Sequence, residues 1–300
     1  MPQHALASRI GRIGVWHGGL GQVPGAVARQ AAAEIEQLGY GALWFGETPA
    51  TESMSLAGLL LAATERITVA TGIANIWVRD ASAAHAAAQT LAEAYEGRFV
   101  LGLGASHAPL VAARGHSYAK PLAAVRAYLD AMDAAPYDGP PADPPPARVL
   151  AALGPRMLEL ARDRTAGAHP YFVTPEHTAR AREILGAGPL LAPEQAVLLE
   201  PDPATARSLA REHHTRFYLE LPNYTGNLRR LGFGDEDFKN GGSDRLVDAI
   251  VAWGDVDAVR RRVQEHHDAG ADHVAIQPLA TDRGLGLEQL RALAPVLTGT

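Results

Sequence analysis

Short β-type runs alternate with Ala-rich amphipathic helices from one end of this 300-residue chain to the other. That alternation constrains the fold more than any other feature, because strands joined only through helices must lie parallel in one sheet. The expected strands are about Arg12 to Trp16, Ala42 to Glu47, Ile67 to Asn75, Arg98 to Gly104, Arg148 to Leu153, Ala166 to Phe172, Gln195 to Glu200, and the AGADHVAIQPL segment near the C-terminus. Two stretches stand apart. The Pro-rich segment 136–147 cannot form helix or central strand and reads as an extended connector. Residues from about Pro222 to Trp253 fit no single β/α unit and read as a partly helical insertion before the last one. Eight units in uninterrupted order favour an α/β fold of the (β/α)8 TIM-barrel type, as one domain spanning residues 1–300. An open doubly wound sheet is the alternative. Its glycine fingerprint belongs at the first strand–helix turn, where Gly19-Leu20-Gly21 followed by Pro24 has the wrong spacing.

Composition excludes several chemistries. The chain has no cysteine, so disulfides, thiolate nucleophiles and Cys-based metal sites are absent. A net charge of -6 without a basic run argues against nucleic-acid binding. No apolar run resembles a signal peptide or a membrane span, so a cytoplasmic protein is expected. Lysine occurs only at Lys120 and Lys239, neither at a strand end, which removes the Schiff-base nucleophile of an aldolase. No His spacing suits a metal, and the adjacent pairs His213-His214 and His266-His267 on helices read as surface or snorkelling residues with rings on different faces. No G-x-S-x-G elbow is present.

In a barrel the site forms where strands end and β-to-α loops begin. This rule selects His17, Glu47, Asn75 with Trp77, Ser106 with His107, Gly154 to Arg156, His169 to Thr174, Glu200 and Gln277. Thr71-Gly72-Ile73 interrupts a β-branched run with a glycine, the mark of a bulge or of close ligand approach. The stretch RFVLGLGASHAP thins to Gly102 and Gly104 before delivering Ser106 and His107. Gly154-Pro155 and Thr174-Pro175 each open a helix, and a helix N-terminus attracts phosphate. Plain capping explains Thr174 equally well, with His177 at the third helical position.

The segments ALWFGE and ITVATGIANIWVRDASAAHAAAQTLAEAYEGRFVLGLGASHAP resemble the bacterial luciferase-like (β/α)8 oxidoreductases. RVLAALGPRMLELARDRTAGAHPYFVTPEHTARAREILG and DAGADHVAIQPL extend the likeness over most of the chain. The similarity is closest to the branch that uses the deazaflavin coenzyme F420; the FMN-dependent monooxygenases are the alternative, and a barrel that only binds cofactor is another.

The resemblance implies hydride transfer between the deazaflavin C5 and a small organic substrate, in a homodimer. It implies a non-proline cis peptide at Gly72-Ile73 behind the ring, with Thr71 and Asn75 beside it and Gly104 to His107 lining the ring. Gly154, Pro155, Arg156 and Met157 would hold the phosphate, with His169 and Thr174 as further cofactor contacts. His107 or His17 is the expected acid/base, with Glu47 as the other candidate. No metal is expected. Many relatives carry histidine at the end of the second strand, where this chain has Gly46-Glu47-Thr48.

Overall fold

A computed structural model describes residues 3–279 and 285–299. After helix α1 (Gln3–Ile10), the first half of the chain runs β1 (Ile13–Trp16), α2 (Gly25–Gln37), β2 (Ala42–Phe45), α3 (Ser53–Leu61), β3 (Thr68–Thr71), β4 (Ala74–Asn75), α4 (Ala81–Ala94), β5 (Phe99–Gly104), α5 (Ala108–Ala112) and α6 (Pro121–Asp133). The second half runs β6 (Ala147–Leu150), α7 (Pro155–Arg164), β7 (Gly167–Ala168), α8 (Pro175–Leu185), β8 (Leu190–Leu191), β9 (Glu194–Leu198), α9 (Pro203–Ala210), α10 (Arg216–Tyr218), α11 (Pro222–Arg230), α12 (Asp244–Ile250), β10 (Val251–Trp253), α13 (Val256–Asp268), β11 (Val274–Pro278) and α14 (Leu287–Leu297).

The strands of the sheet pair in parallel. The ring closes through residues 190–198, where β8 pairs with β7 while β9 pairs with β11. This is the expected (β/α)8 arrangement.

Period-two alternation sorts the strand residues between two cores. Leu43, Phe45, Val69 and Leu101 face the surrounding helices. Trp16, Ala42, Trp44, Ala70, Val100, Val149, Ala192 and Ala275 fill the barrel, floored by Leu6 and Ile10 of α1. The alanines leave room for large rings. Trp44 donates to His273 Nε2 at 3.1 Å and stacks on His169 with centroids 4.4 Å apart. Burying an indole of roughly 200 Å² at about 25 cal/mol per Å² contributes on the order of 5 kcal/mol before entropy.

Several sequence expectations change: the second strand ends at Phe45 and not Glu47, and the fifth at Leu150 and not Leu153. The sixth strand pairs only over Gly167–Ala168 and not to Phe172, because Pro170 has no N–H and Phe172 takes φ 58°. The seventh strand begins at Leu190, is interrupted at Ala192-Pro193, and ends at Leu198. Glu200 therefore lies beyond it, where its carboxylate accepts from the Asp202 N–H at 2.9 Å. The insertion ends in β10, which takes the edge of β9 beyond the short β7. The 136–147 connector lacks regular structure up to Pro146, and Ala147 opens β6. Among the described residues no helix is long and apolar enough to cross a membrane.

Candidate functional site

The third strand breaks at the mouth of the barrel. β3 and β4 are separated by Gly72 and Ile73, whose peptide bond is cis. The bulge is stitched in place from both sides. Thr71 Oγ1 donates to Gly102 O at 2.7 Å and accepts from Gly102 N at 2.9 Å, so its hydroxyl serves the wall. Trp16 Nε1 donates to Gly72 O at 2.9 Å. A Cβ at Gly72 would stand 2.7 Å from Trp16 Nε1 and 2.8 Å from His169 Nε2, so the protein's own rings require glycine here. Ile73 covers Gly104 on the next strand.

Glu47 lies just past β2 with its side chain 1% exposed. Its carboxylate accepts from Ser53 N and Oγ, from Asn75 N at 2.7 Å and from Arg79, which also pairs with Glu52. Every lone-pair direction is engaged, so Glu47 ties the loop after β2 to the bulge. Asn75 in turn accepts the Trp77 N–H at 3.0 Å, and Trp77 Nε1 donates to Ala105 O. His17 is engaged at both nitrogens. Nε2 is 2.7 Å from Leu285 O and Nδ1 accepts from Gly19 N at 3.0 Å, while burial lowers its pKa. The ring is thus a neutral Nε2–H tautomer.

His107 differs. It sits at the start of α5, just after Ser106, which takes φ 59°, a conformation uncommon for a side chain with a Cβ. Its Nδ1 has no partner, burial lowers its pKa, and the Asn223 side chain opposes that shift through a hydrogen bond. Its ring lies 5.5 Å from Tyr224. Asn223 and Tyr224 both belong to α11, so the insertion contributes directly to this site.

Above the barrel, Tyr171 and Phe172 beyond β7, α10 with the segment joining α9 to it, and Tyr224 of the insertion form an aromatic roof. Tyr218 donates to the Tyr171 hydroxyl at 2.8 Å, and Tyr171 donates to Gln277 Oε1 at 2.7 Å. Tyr171 also packs on Trp16 at 4.9 Å. His214, in a π-helical turn over Arg211–Thr215, packs on Phe172 and Tyr218. Such turns recur at functional sites. His214 and His266 are buried, contrary to the surface expectation, because each faces a core; His213 is exposed, while His267 is half-buried with Nδ1 3.1 Å from Ala271 O.

Beneath the roof lies Glu194, 1% exposed. Its position in β9 places it inside, since Gln195 reaches outward to His266. Oε2 accepts from Phe172 N at 3.0 Å and Oε1 has no partner. Burial raises its pKa to about 8, the Phe172 bond acting in the other direction. Placing the seventh strand at Gln195–Glu200 hid this residue; a strand begun at Leu190 would have turned it inward by period two.

The start of α7 is a candidate anion cradle. Gly154 precedes Pro155, and Arg230 Nη2 comes within 3.7 Å of where a Gly154 Cβ would be. Arg230 also donates to Asn227 Oδ1 at 3.1 Å, while the Asn227 amide nitrogen is buried without a partner. Arg180 of α8 donates to Arg230 O. Arg156 is exposed and Met157 is half-buried in the first turn. Thr174 caps α8 by accepting from His177 N, and His177 Nε2 is 2.9 Å from Leu153 O with Nδ1 unpartnered. His169 lies lower, its Nδ1–H directed at Ala192 O and its pKa lowered by burial to about 4. The insertion residues Asn223, Tyr224, Asn227 and Arg230 carry no motif that a single sequence would reveal. Among the described residues no group of His, Asp and Glu is placed to hold a metal.

The sequence pattern described as luciferase-like monooxygenase matches residues 11–273. No curated protein sequence matches the chain. Solved structures share its fold at low identity. An F420-dependent secondary alcohol dehydrogenase in complex with an F420-acetone adduct superposes with a TM-score of 0.76 at 15% identity, covering 95% of this chain and 98% of that one. The coenzyme F420 dependent tetrahydromethanopterin reductase from Methanopyrus kandleri gives 0.70 at 16% identity, covering 95% and 99%. The oxygenating constituent of 3,6-diketocamphane monooxygenase from Pseudomonas putida, in complex with FMN, gives 0.69 at 15% identity, covering 95% and 98%.

Proposed function

The chain belongs to the luciferase-like monooxygenase family, and from that premise we propose that it is an F420-dependent oxidoreductase acting on a small organic substrate. The observation that carries the reading is the candidate cradle at the start of α7, where the Arg230 guanidinium reaches the helix N-terminus and the Asn227 side chain bonded to Arg230 keeps an unpartnered amide nitrogen. A cofactor phosphate there would meet the helix N-terminus and the Arg230 guanidinium together. Bound F420 would supply a ring carbon that gives or takes a hydride.

The protein's own residues then have separate tasks. Arg230, Asn227 and the Gly154 turn would hold the phosphate. Ile73 at the bulge and the Gly104–His107 loop would hold the ring. His107 is the group we assign to proton handling, because it keeps an unpartnered ring nitrogen while remaining neutral near pH 7. His17 and Glu47, with all their polar atoms engaged, position the loops.

FMN carries a phosphate too, and one solved structure of this fold contains it. Equilibrium binding of F420 and of FMN to the purified protein separates the two readings. F420 should bind at least about tenfold more tightly, about 1.4 kcal/mol; tight binding of FMN alone would overturn the proposal. Unchanged turnover after replacing both His17 and His107 by Ala would remove the proton-handling assignment.

A further inference from the structure

The geometry points to Glu194 as a substrate-binding acid that donates its O–H from the unpartnered oxygen to an uncharged carbonyl-type oxygen of the ligand. The inference rests on the barrel mouth being the reaction chamber, as proposed above. One carboxyl oxygen is anchored by the Phe172 N–H at 3.0 Å, while the other has no partner although the side chain is 1% exposed. A buried oxygen without a partner costs roughly 1–3 kcal/mol. A ligand group that completes it recovers that cost.

The surroundings select the ligand's chemistry. The titratable groups facing Glu194 are the hydroxyls of Tyr171 on the β7 side, Tyr218 of α10 and Tyr224 of α11, each of whose pKa values its charge would raise. Burial holds all three neutral, and Tyr171 and Tyr218 are already bonded to each other and to Gln277. Among the described residues no cation pairs with the carboxyl. An uncharged acid in this setting donates to a neutral oxygen without creating charge. An ammonium ligand would require an ion pair buried under the aromatic roof, with its desolvation cost. The donor that the free oxygen lacks a receiver for therefore matches a ketone, aldehyde, amide or quinone oxygen.

Infrared difference spectroscopy on the full-length protein tests this directly, with cyclohexanone as the carbonyl probe and cyclohexylamine as the cationic one. At pH 7 the wild type minus Glu194→Gln spectrum should contain the C=O stretch of a protonated carboxylic acid. Cyclohexanone should shift that band, and Glu194→Gln should bind the probe about tenfold more weakly. A carboxylate band at pH 7 would overturn the inference, as would a band that cyclohexanone leaves unmoved. Conversion to carboxylate by cyclohexylamine alone would reassign the site to cations. Should the variant not fold, [13C]glutamate labelling of the wild type identifies the band by its titration above neutral pH. Failure to bind F420 would refute the cofactor reading and leave this measurement standing.

Discussion

Acid should unfold this protein far sooner than its net charge suggests. Burial lowers the pKa of His169 and His177 to about 4, and of His214, His266 and His273 to about 3. Each folded-state value lies below the unfolded value near 6.5. Below that pH the unfolded chain binds protons that the folded chain refuses, so stability rises with pH from about 3 to 6.5 and levels off above. At pH 5 each histidine removes about 2 kcal/mol relative to pH 7.5, and the five together roughly 10 kcal/mol. Glu194 acts in the opposite sense. Its raised pKa, about 8, contributes stability that is fully present below about 4.5 and lost as pH climbs through 8. Going from pH 7.5 to 5 it restores about 3 kcal/mol, leaving a net loss of roughly 7 kcal/mol, comparable with the whole stability of many domains. Urea unfolding followed by tryptophan fluorescence at pH 7.5, 6.5, 5.5 and 5 measures the slope. His214→Phe, which replaces a ring whose Nε2 has no partner, should remove about 2 kcal/mol of the loss at pH 5. Equal stability at pH 7.5 and 5 would refute the reasoning, as would imidazole NMR titrations of these histidines centred near 6.5.

Three other outcomes follow from named contacts. Glu47→Ala strands the buried face of Arg79 and the Ser53 and Asn75 amides, so urea unfolding should show a loss of about 3–5 kcal/mol. Gly102→Ala would place a Cβ 1.9 Å from Thr71 O, a backbone atom that cannot yield, and should sharply reduce soluble yield and melting temperature. Arg230→Ala should weaken F420 binding about 10- to 100-fold, the range of a charge-assisted hydrogen bond worth roughly 1.5–3 kcal/mol, without altering the melting temperature of the free protein by more than a few degrees.

The barrel was legible in the chain because strand–helix alternation is a local property. Runs such as Ala42–Phe45 and Thr68–Thr71 declare themselves through composition and period, and parallel pairing then leaves few topologies. The glycine in Thr71-Gly72-Ile73 likewise announced a bulge. The partners of these residues were not legible. Glu47 and His17 look like catalytic groups at strand ends, yet Arg79, Ser53, Asn75, Leu285 and Gly19 complete their valences, and those contacts span up to 268 positions in sequence. Glu194 lies in an apolar run whose register depends on where pairing starts, and a one-residue slip moves it from surface to interior. The roof and the candidate anion cradle depend on where α10 and the irregular insertion after it dock, which only the packing of Tyr218, Tyr224, Asn227 and Arg230 decides. Local propensity wrote the wall of the barrel; long-range hydrogen bonds and burial decided which polar atoms remained available for chemistry.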